Sequence, residues 1–236
     1  MAPKVSVVIP VYNEAAILGE AAAELSASLE KTGWDWEVLF AENGSVDSTP
    51  QILEGLAQAN PRFRSLHESE PNYGRALRRG ILEARGDYVI CEEIDLCDAT
   101  FHADAMRILL AGEADMVVGS KAAPGARDER PAVRRAGTRV LNGLLRASLG
   151  YRGTDTHGLK AFRREALLPA TNACKVERDL FASEFVVRAY RMGADVREIP
   201  VAIREKRRPS VHLFRRVPNV LKNLARLVWV IRIQGE

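Results

Sequence analysis

Short apolar runs alternate with amphipathic segments along most of the chain. The runs predict strands at 5–9, 36–41, 63–67, 87–91, 115–119, 158–163 and 195–201. The segments between them predict helices at 15–31, 50–58, 73–84, 103–110, 133–149 and 181–192. Continuous apolar strands that alternate with helices are typical of a mostly parallel sheet covered by helices on both faces. The pattern therefore predicts an α/β fold.

Polar and acidic segments follow three of these strands, at 10–14, 42–49 and 92–96. In such sheets ligands bind beyond the carboxyl ends of the strands, so these three segments are where we expect the chemistry. Glu93 and Asp95 lie two positions apart in the third segment. Both carboxylates can reach one hard cation, and Mg²⁺ or Mn²⁺ in turn holds two phosphate oxygens, although acidic pairs are also common in solvated turns.

Residues 122–135 form a long polar segment bounded by Pro124 and Pro131 and rich in Gly and Arg. These features predict a mobile loop. No internal repeat and no low-complexity tract interrupts the remainder of the chain.

The last segment has a helical pattern that we expect to begin at Pro218. Lys222 and Arg226 lie opposite an apolar stripe, and Trp229 lies beside it; the stripe comprises Val220, Leu221, Leu224, Leu227, Val228 and Ile231. A basic amphipathic helix with an interfacial aromatic residue favours binding to an anionic membrane surface. The alternative is a helix that packs its apolar face on the domain.

The charge of the chain is unevenly distributed. Residues 204–232 contain nine Lys or Arg and one acidic residue, a net charge of +8, so the remaining residues carry −5 of the total +3. A basic tail on an acidic body indicates a partner with negative charge. With 236 residues, the chain is long enough for one α/β domain with an appendage, and we place these at 1–210 and 211–236.

Composition excludes several classes of protein. Hydrophobic residues at 47% and charged residues at 28% are inconsistent with a disordered or collagen-like chain. The three cysteines, Cys91, Cys97 and Cys174, match no zinc or redox spacing, which favours a reducing compartment. We expect a cytoplasmic chain, peripheral on the cytoplasmic face of a membrane, because we find neither a signal peptide nor an apolar run of about 20 residues. The basic residues lack interleaved aromatics, which argues against nucleic-acid binding.

Four segments occur in an order that resembles a known family: VSVVIPVYNE, ENGSVDST, NYGRALRRGILEARGDYVICEEIDLCD and DTHGLKAFRREAL. They are similar to the serial motifs of family 2 inverting glycosyltransferases, above all the dolichyl-phosphate mannose synthases and bacterial polyprenyl-phosphate glycosyltransferases. The resemblance runs from about Val5 to Ser210. It implies the Rossmann-like GT-A fold and transfer of a sugar.

The resemblance also implies roles for individual residues. It implies a nucleotide site at Pro10, Tyr12, Glu14, Glu42, Asn43 and Ser45, and a metal site for Mg²⁺ or Mn²⁺ at Glu93 and Asp95. It implies catalytic roles for Asp95, Lys121 and Arg134, and contacts to the acceptor phosphate from Arg127, Arg135, Asp155, Arg207 and Arg208. Several of these residues have a structural role as the alternative. It is a half-buried strand-end aromatic for Tyr12 and a turn or helix cap for Glu42 and Asp47. It is a solvated charge run for Arg127, Arg130, Arg134 and Arg135, and the start of a membrane-facing basic patch for Arg207 and Arg208.

Several residues depart from the family pattern. Glu93 replaces the first Asp of the metal motif, Asn43 replaces an acid, and Lys121 replaces an Arg, which loses bidentate phosphate recognition. His157 and Cys97 are further departures. His157 could contact the sugar, although a lone His in a loop is more often structural.

The function implied is transfer of a hexose, with inversion, from a nucleoside diphosphate sugar (GDP-mannose or a UDP-sugar) to a polyprenyl or dolichyl monophosphate. Such an acceptor needs no strong protein base, because the second pKa of a phosphate is about 6. A hydroxyl acceptor would need one, with Asp95, Asp98, Asp155 and Glu184 as candidates. The alternatives are a soluble family 2 enzyme acting on a sugar or small molecule, and a non-catalytic binder of nucleotide sugars or lipids.

Overall fold

The computed structural model describes residues 1–203 and 213–233, with side chains from 218 onward in the second range. The strands are β1 (Lys4–Val11), β2 (Asp35–Asn43), β3 (Phe63–Glu68), β4 (Tyr88–Cys91), β5 (Met116–Ser120), β6 (Arg127–Asp128), β7 (Leu159–Arg163), β8 (Val196–Pro200) and β9 (Ala202–Ile203). The helices are α1 (Leu18–Glu30), α2 (Thr49–Ala59), α3 (Tyr73–Glu83), α4 (Ala99–Leu110), α5 (Ala132–Leu149), α6 (Arg164–Ala173), α7 (Phe181–Arg191) and α8 (Leu213–Arg232).

Seven strands form one sheet in the order β3-β2-β1-β4-β7-β5-β8. β7 is antiparallel to its neighbours β4 and β5, and the other neighbouring pairs are parallel. The prediction of a mostly parallel sheet is confirmed. The reversed direction of β7 was not foreseen, because an apolar run has the same pattern in either direction. A separate pair, β6 and β9, is parallel.

Side chains of successive strand residues point to opposite faces of the sheet and bury two apolar layers. Val7 and Val117 belong to the layer that packs against α1, α2 and α4. Val8 and Val118 belong to the layer that packs against α3 and α5 to α8. Helices therefore cover both faces, as the pattern predicted.

Element boundaries differ from the predictions in several places. α6 was missed, because it is short, follows β7 directly and contains Pro169. β2 extends to Asn43, so Glu42 and Asn43 are strand residues rather than loop residues. α4 starts at Ala99, four residues earlier than expected, because the Asp98 side chain accepts hydrogen bonds from its first turn. The segment predicted as a loop contains β6 and the first turns of α5.

The C-terminal helix packs on the domain along part of its apolar stripe. Leu224, Leu227 and Ile231 are buried in the same layer as α5. The helix begins at Leu213, so the predicted start at Pro218 is wrong. Leu221, expected on the packed face, is 51% exposed. The proposed boundary between 210 and 211 lies outside the described residues.

No helix among the described residues combines the length and hydropathy needed to cross a bilayer.

We predict that Leu227→Ala lowers the free energy of unfolding by about 2–5 kcal/mol, because it leaves a cavity at a fully buried position. Leu221→Ala, on the same helix but half-exposed, should change it by less than about 0.5 kcal/mol. Urea denaturation followed by circular dichroism measures both. Equal effects of the two variants would contradict the docking of α8.

Candidate active site

Hydrogen bonds join the loops that follow β1 and β2. The backbone N–H of Asn13 donates to Ser45 Oγ at 2.9 Å, and Asn13 Oδ1 accepts from the N–H of Val46 at 2.9 Å. Asn13 has a left-handed φ of 53°, which Asn tolerates better than most residues. Tyr12 stays exposed beside this junction. Ser45, predicted at the nucleotide, therefore also fixes the loop that carries Tyr12.

A second set of bonds holds the next residues of the same loops. Glu14 N–H donates to Thr49 Oγ1, and Asp47 accepts from the N–H groups of Ala15 and Thr49. The bond from Thr49 to the Asp47 carboxylate lowers the pKa of Asp47, and the bond from Ala15 adds to this. Asp47 thus has the capping role that was its structural alternative. Pro10 lies at the end of β1, partly exposed at the same edge.

Glu42 is buried at the end of β2. One carboxylate oxygen accepts the N–H of Ser45 at 2.5 Å, and the other contacts the ring of His67 at the end of β3. His67 is mostly exposed, so it is the member of this pair that a ligand can touch. Sequence reasoning missed His67, although the prediction of a strand at 63–67 placed its end at the same edge of the sheet.

Asn43 is buried and holds the start of α3. Its Oδ1 accepts the N–H of Asn72 at 2.5 Å, while Asn72 Oδ1 accepts the N–H of Arg75 and so caps the helix. Asn72 Nδ2 also donates to Glu177 at 2.8 Å. The amide that replaces the family's acid therefore stabilises the backbone around the site.

Glu93 and Asp95 follow β4 at the carboxyl edge of the sheet, where Asp95 lines a cavity of about 600 Å³. Glu93 retains solvent-accessible surface, yet surrounding protein desolvates it, and this raises its pKa; the nearby charge of Asp95 raises the pKa further. Lys121, Lys160 and Arg134 act in the opposite direction. Tyr73 and His157 are likewise accessible but desolvated, which raises the pKa of the phenol and lowers that of the imidazole. Accessible groups surrounded by protein are typical of a concave site.

The two carboxylates suit a divalent cation. Within 1–203 and 213–233, no group of three or more His, Cys, Asp or Glu side chains is arranged to hold a metal ion. Mg²⁺ and the similar Mn²⁺ are usually held by one or two carboxylates together with substrate phosphates and water. A cation would also relieve the repulsion between Glu93 and Asp95. These residues therefore fit a metal that is shared with a phosphate ligand.

Lys121 is held in place by Asp155. Their side chains form an ion pair at 2.8 Å, and the same Asp155 oxygen accepts the backbone N–H of Lys121 at 3.1 Å. Burial by itself raises the pKa of Asp155, but Lys121 and the hydrogen bonds from Lys121 and His157 bring it below its usual value. Asp155 is fully buried, so its carboxylate pairs with Lys121 and is not accessible to a ligand.

Close backbone packing brings these two segments together. A Cβ on Gly158 would lie 1.8 Å from the carbonyl oxygen of Gly119, so only glycine allows the start of β7 to approach the end of β5. Glu198 on β8 supports the same turn by accepting the N–H groups of Thr154 and Asp155 at 2.7 and 3.3 Å.

Lys160 on β7 is a buried cation that sequence reasoning missed. Its Nζ donates to the Gly158 carbonyl at 2.7 Å. Burial lowers its pKa to about 8, against the opposing influence of Cys91, Asp155 and Glu93. Its place directly after the motif DTHGL was the available signal, but an apolar strand gives no indication that a cation is buried within it.

The arginines of the segment 122–135 take different positions. Arg127 lines a cavity of about 600 Å³ together with Asp95 and Asp98. Arg134 lies close enough to Glu93 for its positive charge to lower the pKa of that carboxyl group. Arg130 forms two bonds of 2.8 Å to Asp128, and Arg135 donates to the carbonyl oxygens of Asp128 and Arg130. Arg127 and Arg134 therefore lie towards residues 92–98, the loop that carries Glu93 and Asp95 and that we call the metal loop. Arg130 and Arg135 stabilise the segment 122–135 itself. Arg207 and Arg208 lie outside the described residues.

Two of the four candidate bases have structural roles. Asp98 caps α4 through the N–H groups of Thr100 and Phe101. Glu184 is fully buried and accepts bonds from Val176 N–H and from Arg188 Nε. Asp155 is also buried and ion-paired. Asp95 and Asp98 are both partly exposed and line the same cavity, but the Asp98 carboxylate already accepts two hydrogen bonds from α4.

The family model described as "Glycosyl transferase family 2" matches residues 6–168, which contain the strand-end loops, the two carboxylates and Lys121. The chain belongs to glycosyltransferase family 2. Glycosyltransferase AglD from Haloferax volcanii is 32% identical over 98% of this chain. An undecaprenyl-phosphate 4-deoxy-4-formamido-L-arabinose transferase from Pseudomonas fluorescens is 31% identical over 86% of it. The chain spans 38% and 58% of the lengths of these two relatives.

Solved structures share the fold of this family 2 domain. Glucosyl-3-phosphoglycerate synthase from Mycobacterium tuberculosis in complex with UDP has a TM-score of 0.70 at 22% identity, covering 96% of this chain and 80% of that one. The same synthase with Mn²⁺, UDP-glucose and phosphoglyceric acid gives 0.70 at 21% identity, with the same coverage. TarS from S. aureus gives 0.59 at 18% identity, covering 96% and 64%. The predicted GT-A fold is confirmed.

We predict that Mn²⁺ binding weakens on acidification from pH 7 to pH 5. A proton competes with the metal for the Glu93 carboxylate, whose raised pKa places this competition at a higher pH than for an ordinary Glu. Below that pKa the affinity should fall about tenfold per pH unit. Electron paramagnetic resonance of free Mn²⁺, titrated without nucleotide, measures it.

Glu93→Gln is the control for this titration. It should bind Mn²⁺ at least about tenfold more weakly at pH 7 and lose no further affinity down to pH 5. The same pH dependence in this variant as in the parent chain would contradict the prediction.

Proposed function

We propose that the chain transfers a hexose, with inversion, from a nucleoside diphosphate sugar to a polyprenyl monophosphate. The observation that carries this proposal is the proximity of Glu93 and Asp95 to Lys121, Lys160 and Arg134 at the carboxyl edge of the sheet. The carboxylates suit a metal with a diphosphate, and the cations suit a second phosphate. The transferase from Pseudomonas fluorescens, whose name specifies undecaprenyl phosphate, supports a lipid phosphate as acceptor.

The donor is proposed to lie along the ends of β1 to β4. A Mg²⁺ or Mn²⁺ ion bound by Glu93 and Asp95 would neutralise the diphosphate as the sugar departs. Tyr12 offers an exposed ring beside the β1 loop, and the Glu42–His67 pair offers a polar edge next to it. These groups are suited to a nucleobase and ribose. Structures of the same fold with UDP support a uridine nucleotide, and GDP-mannose remains the other candidate.

The acceptor phosphate is proposed to lie on the opposite side of the metal loop. Asp155 fixes Lys121, so the ammonium group needs little further ordering to bind a phosphate. Arg127 and Arg134 approach from the segment 122–135. A phosphate monoester is largely ionised near neutral pH, its second pKa being about 6, so no protein base is required. The engagement of Asp98, Asp155 and Glu184 in structural contacts supports this acceptor over a hydroxyl group.

Radiolabelled UDP- and GDP-hexoses, offered with and without a short polyprenyl phosphate, test the function. We predict label in the organic extract that depends on Mn²⁺ or Mg²⁺ and on the lipid, with an inverted anomeric configuration by nuclear magnetic resonance. Asp95→Asn should lower the rate at least about 100-fold. Asp35→Asn, at an exposed acid that begins β2 and so lies at the opposite edge of the sheet, should leave it unchanged.

Two results would overturn this proposal. Transfer of label to a water-soluble acceptor alone would support a family 2 enzyme that acts on a sugar or small molecule. Nucleotide binding with neither transfer nor hydrolysis would support a non-catalytic binder.

We also propose that α5 and α8 together rest on the cytoplasmic face of an anionic membrane. Leu144, Leu221, Trp229 and Ile233 are exposed and line an apolar groove of about 480 Å³ between the two helices. Val133 and Val140 extend this apolar surface along α5. Both helices lack Asp and Glu, and together they carry nine Lys or Arg. Exposed apolar residues, an interfacial Trp and cations without anions are suited to a membrane surface.

We predict that Leu221→Gln combined with Trp229→Gln lowers binding to vesicles containing anionic lipid by at least about tenfold. Each change removes apolar area worth about 1.5–3 kcal/mol when fully buried in the bilayer interface. Leu110→Gln on α4 is the matched control, because Leu110 is 49% exposed, like Trp229 at 49%, but lies elsewhere. Vesicle sedimentation measures the partition. Unchanged partition of the double variant would contradict the membrane assignment.

A further inference from the structure

A third acid, Glu92, precedes the two carboxylates of the metal loop but faces the interior. Its side chain is fully buried, whereas Glu93 is exposed and Asp95 is partly exposed. The sequence presents the three acids as one polar run. Alternation of side chains at the end of β4 separates Glu92 from the other two.

The Glu92 carboxylate connects both ends of the metal loop to α4. One oxygen accepts the backbone N–H of Asp98 at 2.5 Å, and the other bonds to His102 Nε2 at 2.6 Å. His102 lies on α4 and is almost fully buried. Glu92 N–H donates to the carbonyl of Val8 at 3.1 Å, which ties this end of the loop to β1.

The loop is thus closed at its base by a single side chain. Residues 93–97 lie between the two anchored positions, and Asp98 at the far end caps α4. Closing the loop restricts the backbone on which Glu93 and Asp95 are placed. Since these two carboxylates repel each other, an unrestrained loop would move them apart.

Stability alone is a weak reason for such a pair. Burying a carboxylate and an imidazole costs desolvation free energy, and apolar residues of similar volume are often equally stabilising. Unlike apolar packing, the pair provides a directional hydrogen bond to the N–H of Asp98. This bond restricts the geometry of the loop.

We infer that Glu92 and His102 are positioning residues that hold Glu93 and Asp95 in the arrangement that binds the divalent cation. Neither touches the metal or the substrate. They act through the backbone of the loop, and the inference rests on the proposed assignment of Glu93 and Asp95 as metal ligands.

Two substitutions at Glu92 separate the effect of its hydrogen bonds from the effect of its side-chain volume. Glu92→Met keeps the approximate size but removes both bonds, and it should weaken Mn²⁺ binding about 10- to 100-fold, the usual cost of losing support behind metal ligands. Glu92→Gln can still accept from Asp98 N–H and donate to His102 Nε2, so its Mn²⁺ affinity should stay within about threefold of the parent. Free Mn²⁺ is measured by electron paramagnetic resonance with the metal alone and with UDP added.

Steady-state kinetics should show that the loss affects metal binding and not the chemical step. In Glu92→Met the metal concentration for half-maximal rate should rise, while kcat at saturating metal stays within about threefold. His102→Leu removes one of the two bonds and should weaken Mn²⁺ binding about tenfold. It provides the answer if Glu92→Met does not fold.

Leu25→Ala controls for a general loss of stability. Leu25 is buried in α1, and its truncation should lower the free energy of unfolding without changing Mn²⁺ affinity. If Glu92→Met and His102→Leu also lose stability but keep the parent affinity, the pair is structural and the inference is wrong. If instead Glu93→Gln leaves Mn²⁺ binding intact, the proposed metal site itself is wrong, which is a different result.

Discussion

The repulsion between Glu93 and Asp95 is the interaction that the site must accommodate. Two carboxylates placed close together in a desolvated cleft are unstable as a doubly charged pair. Lys121, Lys160 and Arg134 offset part of this charge; they come from the loop after β5, from β7 and from α5. Anionic and cationic side chains therefore lie close together at the carboxyl edge of the sheet. This combination suits the metal, the diphosphate and the second phosphate that we propose.

The sheet produces this distribution through the position of β7. Its insertion between β4 and β5 places Lys160 next to the metal loop, and the turn before it places Asp155 next to Lys121. Gly158 permits the close approach, and Glu198 supports the turn from β8. The Asp155 ion pair and the Gly158 carbonyl thus hold Lys121 and Lys160 in place, which would lower the entropic cost of binding the proposed phosphate.

α5 connects the site to the outer surface. Its first turn carries Arg134 towards Glu93, and its buried face packs with Leu227 of α8. Its exposed face carries both apolar residues and arginines. The structure thus confirms packing of α8 on the domain and still leaves an apolar, basic surface. Domain packing and the proposed membrane binding, which were alternatives for the sequence, would use different faces of the same helices.

The sequence by itself determined the alternation of strands and helices, the two-faced core and the edge where the chemistry lies, because periodicity records which side of an element is buried. Its motifs identified the family and brought Glu93, Asp95 and Lys121 forward as candidates. Only the tertiary structure decided the direction of β7, the burial of Lys160 and Glu92, the exposure of His67 and the role of Asp155 as a partner for Lys121. These depend on contacts between residues distant in sequence, and periodicity records burial but not the partner.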